Sequence, residues 1–330
     1  MKRVSMRACM AVGQLIFSLL CTSAIAQTRE KGPWWPHPIW GADDQAGASN
    51  WITPDKILEA LQLVKTGKLY ELGHVYEATM PLVGGRGFTF KFLRNSGPAR
   101  GTNSAIFNSE LLVTEIGQVG TQFDSFGHVG ARMEMADGST EDVYYNGFTG
   151  EEVYSGDGLM ELGVEKVKPF VTRGLLVDIA AYKGRERLPA GYEVTLADVR
   201  GAFERQGMSE NNVRPGDVLL FRYGWASLWK DESLNLMNSP GIGMEVAEWI
   251  VEKKVSIVGG DALVEVMPNP IPEIFAPVHQ ELVMKNGIFL LESVVLDELA
   301  RDGATEFLFI FSPLRIKGAT GSPGRPIAIR

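Results

Sequence analysis

The sequence predicts an α/β domain organised around a mixed sheet with flanking helices. Its second half alternates short apolar, β-branched runs with single amphipathic segments, the pattern of strands interleaved with helices. Two threonines stand where helices should start, at Thr53 and Thr195. No internal repeat or low-complexity linker interrupts residues 27–330, and a chain of that length buries a substantial core as one domain.

The elements follow in order. Residues 27–50 form an irregular arm in which Trp34, Trp35 and Trp40 crowd beside Pro33, Pro36 and Pro38. Thr53 then caps a helix with Pro54 in its first turn; Ile57, Leu58, Leu61 and Val64 make its apolar stripe and Gly67 ends it. Leu72 to Met80 reads as a strand. Residues 84–104, with Gly84, Gly85, Gly87, Arg86, Lys91 and Arg94, read as a basic Gly-rich loop. Leu111 to Phe123 is a strand pair or one long strand. Strands are predicted at Gly174–Ile179, Val218–Tyr223, Val255–Gly259, Ile288–Leu291 and Phe307–Phe311. Helices are predicted from Thr195 to Arg205 and from Gly243 to Glu252, and one that begins at His279 and ends near Gly287.

The first 26 residues read as a secretory signal peptide. Lys2, Arg3 and Arg7 precede an apolar run too short to span a bilayer, and Ala24-Ile25-Ala26 is a small-x-small cleavage pattern. The expectation is an exported protein, periplasmic or secreted. Both cysteines, Cys9 and Cys21, fall in this leader, which leaves residues 27–330 without a disulfide or a cysteine nucleophile. Those residues carry 29 Lys+Arg against 40 Asp+Glu, net −11. With no basic stripe and no second long apolar run, neither nucleic acid nor a membrane is an expected partner.

One stretch stands out for chemistry, Gln118-Val119-Gly120-Thr121-Gln122-Phe123-Asp124-Ser125-Phe126-Gly127-His128. If it is extended, Gln118, Gln122 and Asp124 point the same way, with Gly120 opening space between the glutamines. Converging polar groups in an apolar setting suit an ion or a reacting group; a half-exposed strand with a glycine bulge is the plainer alternative. Only four histidines exist. His37 lies in the Trp/Pro arm, His74 reads as structural, and His128 and His279 remain. Glu292 directly follows an apolar strand, where a charge is seldom buried without a partner. Asp261 either serves a site at the sheet's carboxyl end or caps a turn, and Glu265 pairs with it or with an arginine. The Gly-rich run Gly318 to Gly324 lacks the lysine of a phosphate loop.

The stretch resembles the His-x-Gly-Thr-His-x-Asp-x-Pro-x-His signature of the cyclase and kynurenine formamidase-like family of metal hydrolases. Gly120, Thr121, Asp124 and His128 match; Gln118 and Gln122 stand for two histidines and Phe126 for the proline. Trp40 to Gln45 with Asn50, Tyr144 to Gly147, Gly216 to Leu220, Gly224-Trp225, Gly260 to Ala262, His279 and Glu292 extend the likeness over most of the chain. The resemblance implies a swivelling β/β/α-type fold and a homodimer or homotetramer. It also implies a metal site drawn from Gln118, Gln122, Asp124, His128 and Glu292, with His279 as acid/base. Glutamine oxygen is a weaker, harder ligand than imidazole, so one divalent ion is expected, manganese or zinc.

The expected function is a metal-dependent hydrolase of a small amide (arylformamidase-like) or lactone, in which metal-activated water attacks the carbonyl and His279 moves the proton. Two alternatives stay open: a lyase or cyclase that transfers protons without hydrolysis, and a metal-free binding protein.

Overall fold

The computed structural model describes residues 31–94, 97–231 and 233–330. The expected leader, residues 1–26, lies outside them. No helix among the described residues is long and apolar enough to cross a membrane.

The fold is mixed α/β. Its sheet strands are β1 (Leu69–Glu71), β4 (Gln122–Asp124), β5 (Phe170–Asp178), β6 (Val218–Arg222), β7 (Ile257–Gly260), β8 (Phe289–Glu292), β9 (Glu306–Phe311), β10 (Gly321–Pro323) and β11 (Ile327–Ile329). They form one nine-stranded sheet in the order β1-β11-β9-β5-β6-β7-β8-β4-β10. The centre, β5-β6-β7-β8, is parallel and both flanks are antiparallel. Parallel neighbours need crossover connections, and the chain supplies helices for them: α2 (Leu196–Arg205) between β5 and β6, α3 (Met244–Lys253) between β6 and β7, and α4 (Pro277–His279) running into a π-helical turn at Gln280–Lys285 before β8. The central strands are buried on both faces, which explains their continuous apolar runs.

The start signals act as read. Thr53 accepts from the Lys56 amide and Thr195 from that of Asp198, which returns a bond to the cap backbone. The apolar stripe of α1 (Pro54–Leu61) does not enter the core, however. Leu58, Leu61 and Val64 are exposed, while Lys56 and Ala60 are buried, and the helix stops at Leu61 rather than Gly67. The cause is a buried ion cluster. Asp217, at the start of β6, accepts from Lys56 Nζ at 2.5 Å, from Arg173 Nη2 at 2.5 Å and Nε at 3.1 Å, and from the Arg214 amide; Arg173 also holds Glu306. Satisfying that aspartate decides which face of the helix turns inward.

Two further expectations are corrected. The strand expected over Leu72–Met80 does not form: β1 ends just before it, at Glu71, and the following residues leave the sheet so that His74 stacks on Trp229 at 3.9 Å and Tyr76 donates to the Thr121 carbonyl. The Gly-rich loop over 84–104 contains strand β2 (Phe88–Arg94), which pairs with β3 (Asn108–Thr114) as a separate two-stranded ribbon. The Trp/Pro arm packs on its own chain. Trp35 is buried against Gly147, Asn146 donates to the carbonyls of Gly41, Ala42 and Asp44, and Tyr145 donates to Asp44. The Trp40–Asn50 and Tyr144–Gly147 segments therefore fasten each other.

Candidate metal centre

β4 is three residues long and paired on both edges, with β8 and with β10. Alternation sends Phe123 into an aromatic cluster with Phe170, Phe289 and Phe311 and puts Gln122 and Asp124 on the other face. The antiparallel register sets Gln122 opposite Glu292, and the glutamine amide donates to that carboxylate at 3.0 Å. Gln118 reaches the same place by another route. It lies before β4 in a turn rather than on an extended strand, and its amide donates to Asp124 Oδ1 at 3.0 Å. Gly120 does not open space for a ligand. Its φ of +65° is left-handed, and an added Cβ would lie 2.1 Å from the Tyr76 ring.

His279 enters from α4. Its Nδ1 lies 2.7 Å from Glu265 Oε2, and Glu265 also accepts the amides of Val278 and His279. This fixes the ring, whose Nε2 faces Glu292 Oε1 at 3.4 Å and Asp124 Oδ2 at 4.0 Å. One ligand atom from each of Asp124, His279 and Glu292 falls within 4.8 Å of the others. The His128 ring centre is 6.3 Å from that of His279. Beside Glu292, Ser293 holds a left-handed backbone (φ 55°), secured by its amide on Ala262 O and by the Thr121 hydroxyl on its own carbonyl.

The electrostatics are those of an under-compensated carboxylate site. Burial raises the Asp124 carboxyl above its ordinary range, opposed by the charges of His128 and His279. Burial alone would depress His279, yet its bonds to Glu265 and Glu292 hold it well above the ordinary histidine value. Burial likewise works to raise Glu292, but the bond and charge of His279 bring it below the usual carboxylate range. Asp124 Oδ2 and Gln118 Oε1 are buried acceptors that meet no donor. A divalent cation fits this set: two carboxylates and an imidazole converge, an oxygen has no partner, and Glu265 sits behind the histidine as an orienting carboxylate. The donors, two oxygens and one nitrogen, suit manganese or zinc. A narrow cleft reaches the two glutamines between Val83, Arg86, Val119, Trp229, Leu236 and Leu263. A larger groove of about 810 Å³ runs past His74 and Phe311 and touches none of these carboxylates.

Other candidates resolve as scaffolding. Asp261 accepts the amides of Tyr223, Gly224 and Trp225, so it braces that turn. His37 stacks on Trp40 inside the arm. Gly321–Pro323, within the run that superficially suggested a phosphate loop, is β10. Glu265 is the functional candidate that sequence reasoning misplaced. Its signal was an acid flanked by Val264 and Val266, the same sign of a buried charge that marked Glu292.

The sequence profile described as putative cyclase matches residues 70–264. A solved structure described as a novel cyclase is 31% identical, covering 88% of this chain and 96% of its own, with a TM-score of 0.76. Isatin hydrolase A from Ralstonia solanacearum shares the fold at 20% identity, with coverage of 84% and 99% and a TM-score of 0.56. Isatin hydrolase A from Labrenzia aggregata does so at 18%, 79%, 93% and 0.55. No curated protein matches the sequence. The chain belongs to the cyclase family.

Proposed function

We propose that this member of the cyclase family is a metal-dependent hydrolase that opens a small amide or lactone. The observation that carries the reading is the buried convergence of Asp124, His279 and Glu292 around an Asp124 oxygen without a donor. Neighbours named as isatin hydrolases, which share the fold, support hydrolysis of a cyclic amide. A divalent ion held here supplies Lewis-acid activation of water and of a carbonyl.

The residues of the chain do the rest. Asp124 and Glu292 would hold the ion together with one ring nitrogen, that of His279 in the convergent set or that of His128 beside it. Gln118 and Gln122 fix the two carboxylates through their amide hydrogens, and their oxygens remain for weak ligation. His279, pinned by Glu265, hands a proton from Nε2 to the leaving nitrogen or oxygen. The half-apolar cleft excludes bulk water from the bond being broken.

The first test is elemental mass spectrometry of the mature protein, purified without a metal-affinity tag, after dialysis against manganese or zinc. The expected result is about one equivalent per chain, lost in Asp124→Ala. No metal under any loading would discard the hydrolase. His279→Gln separates that residue's roles, since metal kept with turnover lost makes it the proton carrier, whereas loss of both makes it a ligand. A second reading, proton transfer without hydrolysis, draws on the Glu265–His279–Glu292 relay. Hydrolysis in ¹⁸O-water labels the new carboxylate; an unlabelled product would favour the lyase.

A further inference from the structure

The cations of the basic Gly-rich segment have separate fates. Lys91 and Arg94 stand exposed on β2. Arg86 is half-buried and lines the cleft that reaches Gln118 and Gln122. It ends the turn Val83-Gly84-Gly85-Arg86, which its amide closes on Val83 O at 3.4 Å. Gly84 and Gly85 hold φ of +68° and +74°, a pair of left-handed residues that suits glycine in a tight turn. On either side Leu82 and Phe88 pack against Met80, Val119 and Trp229, so the turn is anchored at both feet.

The guanidinium has little structural work. Its hydrogen bond runs from Nη1 to the Val83 carbonyl, three residues back, at 3.4 Å. Among the described residues it forms no ion pair; Glu115 feels its charge from a distance. Trp229 lines the same cleft, is 8% exposed, and has a buried indole Nε1–H that meets no acceptor. The rest of the wall is largely apolar, with Val83, Val119, Leu236 and Leu263. Donors drawn partly out of water and left without good partners cost free energy until an acceptor arrives.

We propose that Arg86 is a specificity-determining residue that takes the carboxylate of an acidic substrate, a flat amide or lactone whose ring carries a carboxylate away from the bond that breaks. This rests on the hydrolase reading above and adds which members of that class are taken. Charge makes the argument. Asp124, Glu265 and Glu292 crowd the inner end of the cleft, and the whole chain is −8. Such surroundings repel an anion unless a fixed cation receives its charge. The planar fork of arginine matches a carboxylate with two parallel N–H bonds, and the apolar wall suits the ring between the two ends. The cleft measures about 20 Å³ as it stands, room for roughly one water, so a substrate enters as the turn lifts. An added Cβ on Gly84 or Gly85 would meet nothing within 4 Å, so nothing packed on the turn opposes that movement.

Isothermal titration of the full mature chain in manganese-containing buffer tests this. The probes are oxindole, an unreactive cyclic amide, and oxindoles that carry a carboxylate on the benzo ring. At least one carboxylate isomer is expected to bind about tenfold more tightly than oxindole. Arg86→Gln should remove that preference, and Arg86→Lys, which keeps the charge and loses the fork, should restore part of it. A side chain that only held the turn would change the affinity for neutral and acidic probes alike. Absence of the preference in the wild type, or its survival in Arg86→Gln, overturns the proposal. The metal assay above reads the hydrolase separately. A protein that takes no metal yet shows the Arg86-dependent preference keeps the anion subsite and loses the hydrolase; a metal-loaded protein without the preference does the reverse.

Discussion

Around Asp217 every carboxylate oxygen meets a fixed cation or amide, with Lys56, Arg173 and the Arg214 backbone closing on one buried acid. Around Asp124 three buried carboxylates face His279, with His128 acting on Asp124 and Glu292 only through its charge, and an oxygen is left without a donor. Both clusters lie at ends of strands in the same sheet. The first is complete without help and serves stability. The second is short of positive charge, and a binding site for a cation must be so. Burial alone does not separate structural from functional charge; the balance of donors does.

Substitutions can break this contrast. Asp124→Asn keeps the shape and the Gln118 contact but removes the unpartnered charge. Turnover should fall about a thousandfold and metal be lost, while the urea midpoint stays or rises. Metal retained in that variant would contradict the assignment. Asp217→Asn should do the reverse: about 3–5 kcal/mol of unfolding free energy disappears, because Lys56 and Arg173 are left buried and uncompensated. A loss below about 1 kcal/mol would show that water already reaches that cluster.

Smaller effects sharpen the picture. Glu265→Gln leaves the metal but loosens the His279 ring, and kcat should fall about 10–100-fold with metal content unchanged. His74 lies in neither cluster. Burial beside Trp229 lowers its pKa to about 4. The folded state then binds fewer protons than the unfolded state between pH 4 and 6.5. Stability from this group is full above pH 6.5 and is lost as pH falls toward 4. His74→Phe should flatten that slope by on the order of 2 kcal/mol, read from urea titrations at pH 7 and pH 4.5. His37, also lowered by burial, adds a slope of the same sign to both proteins, so the difference between them isolates His74.

Much of this was legible in the chain. Thr53 and Thr195 announced their helices because capping is local. The parallel strands announced themselves because burial on both faces leaves an unbroken apolar run. Glu292 was found as an acid ending such a run. Other features are tertiary. Lys56 is buried only because Asp217, far along the sequence, needs it, so the α1 stripe misdirects. β2 was masked by its glycine neighbours, although Phe88, Phe90 and Phe92 alternate. Gln118 was grouped with Asp124 by an extended geometry that the chain does not adopt; a turn brings the two together instead. Glu265 depends on His279, with an irregular loop between them, and no periodicity connects the two.

The double pairing of β4 has a consequence for the order of assembly. Its partners are residues 289–292 and 321–323, so Asp124 is placed by segments roughly half the chain away. Contacts this distant close late in folding. A growing chain therefore carries its acids, glutamines and histidines separated, with no competent centre to capture an ion before the last strands arrive. Pulse-labelled amide exchange during refolding should find the Phe123 amide protected after those of β5 and β6, and the centre would be the last part of the sheet to form and the first to dissolve.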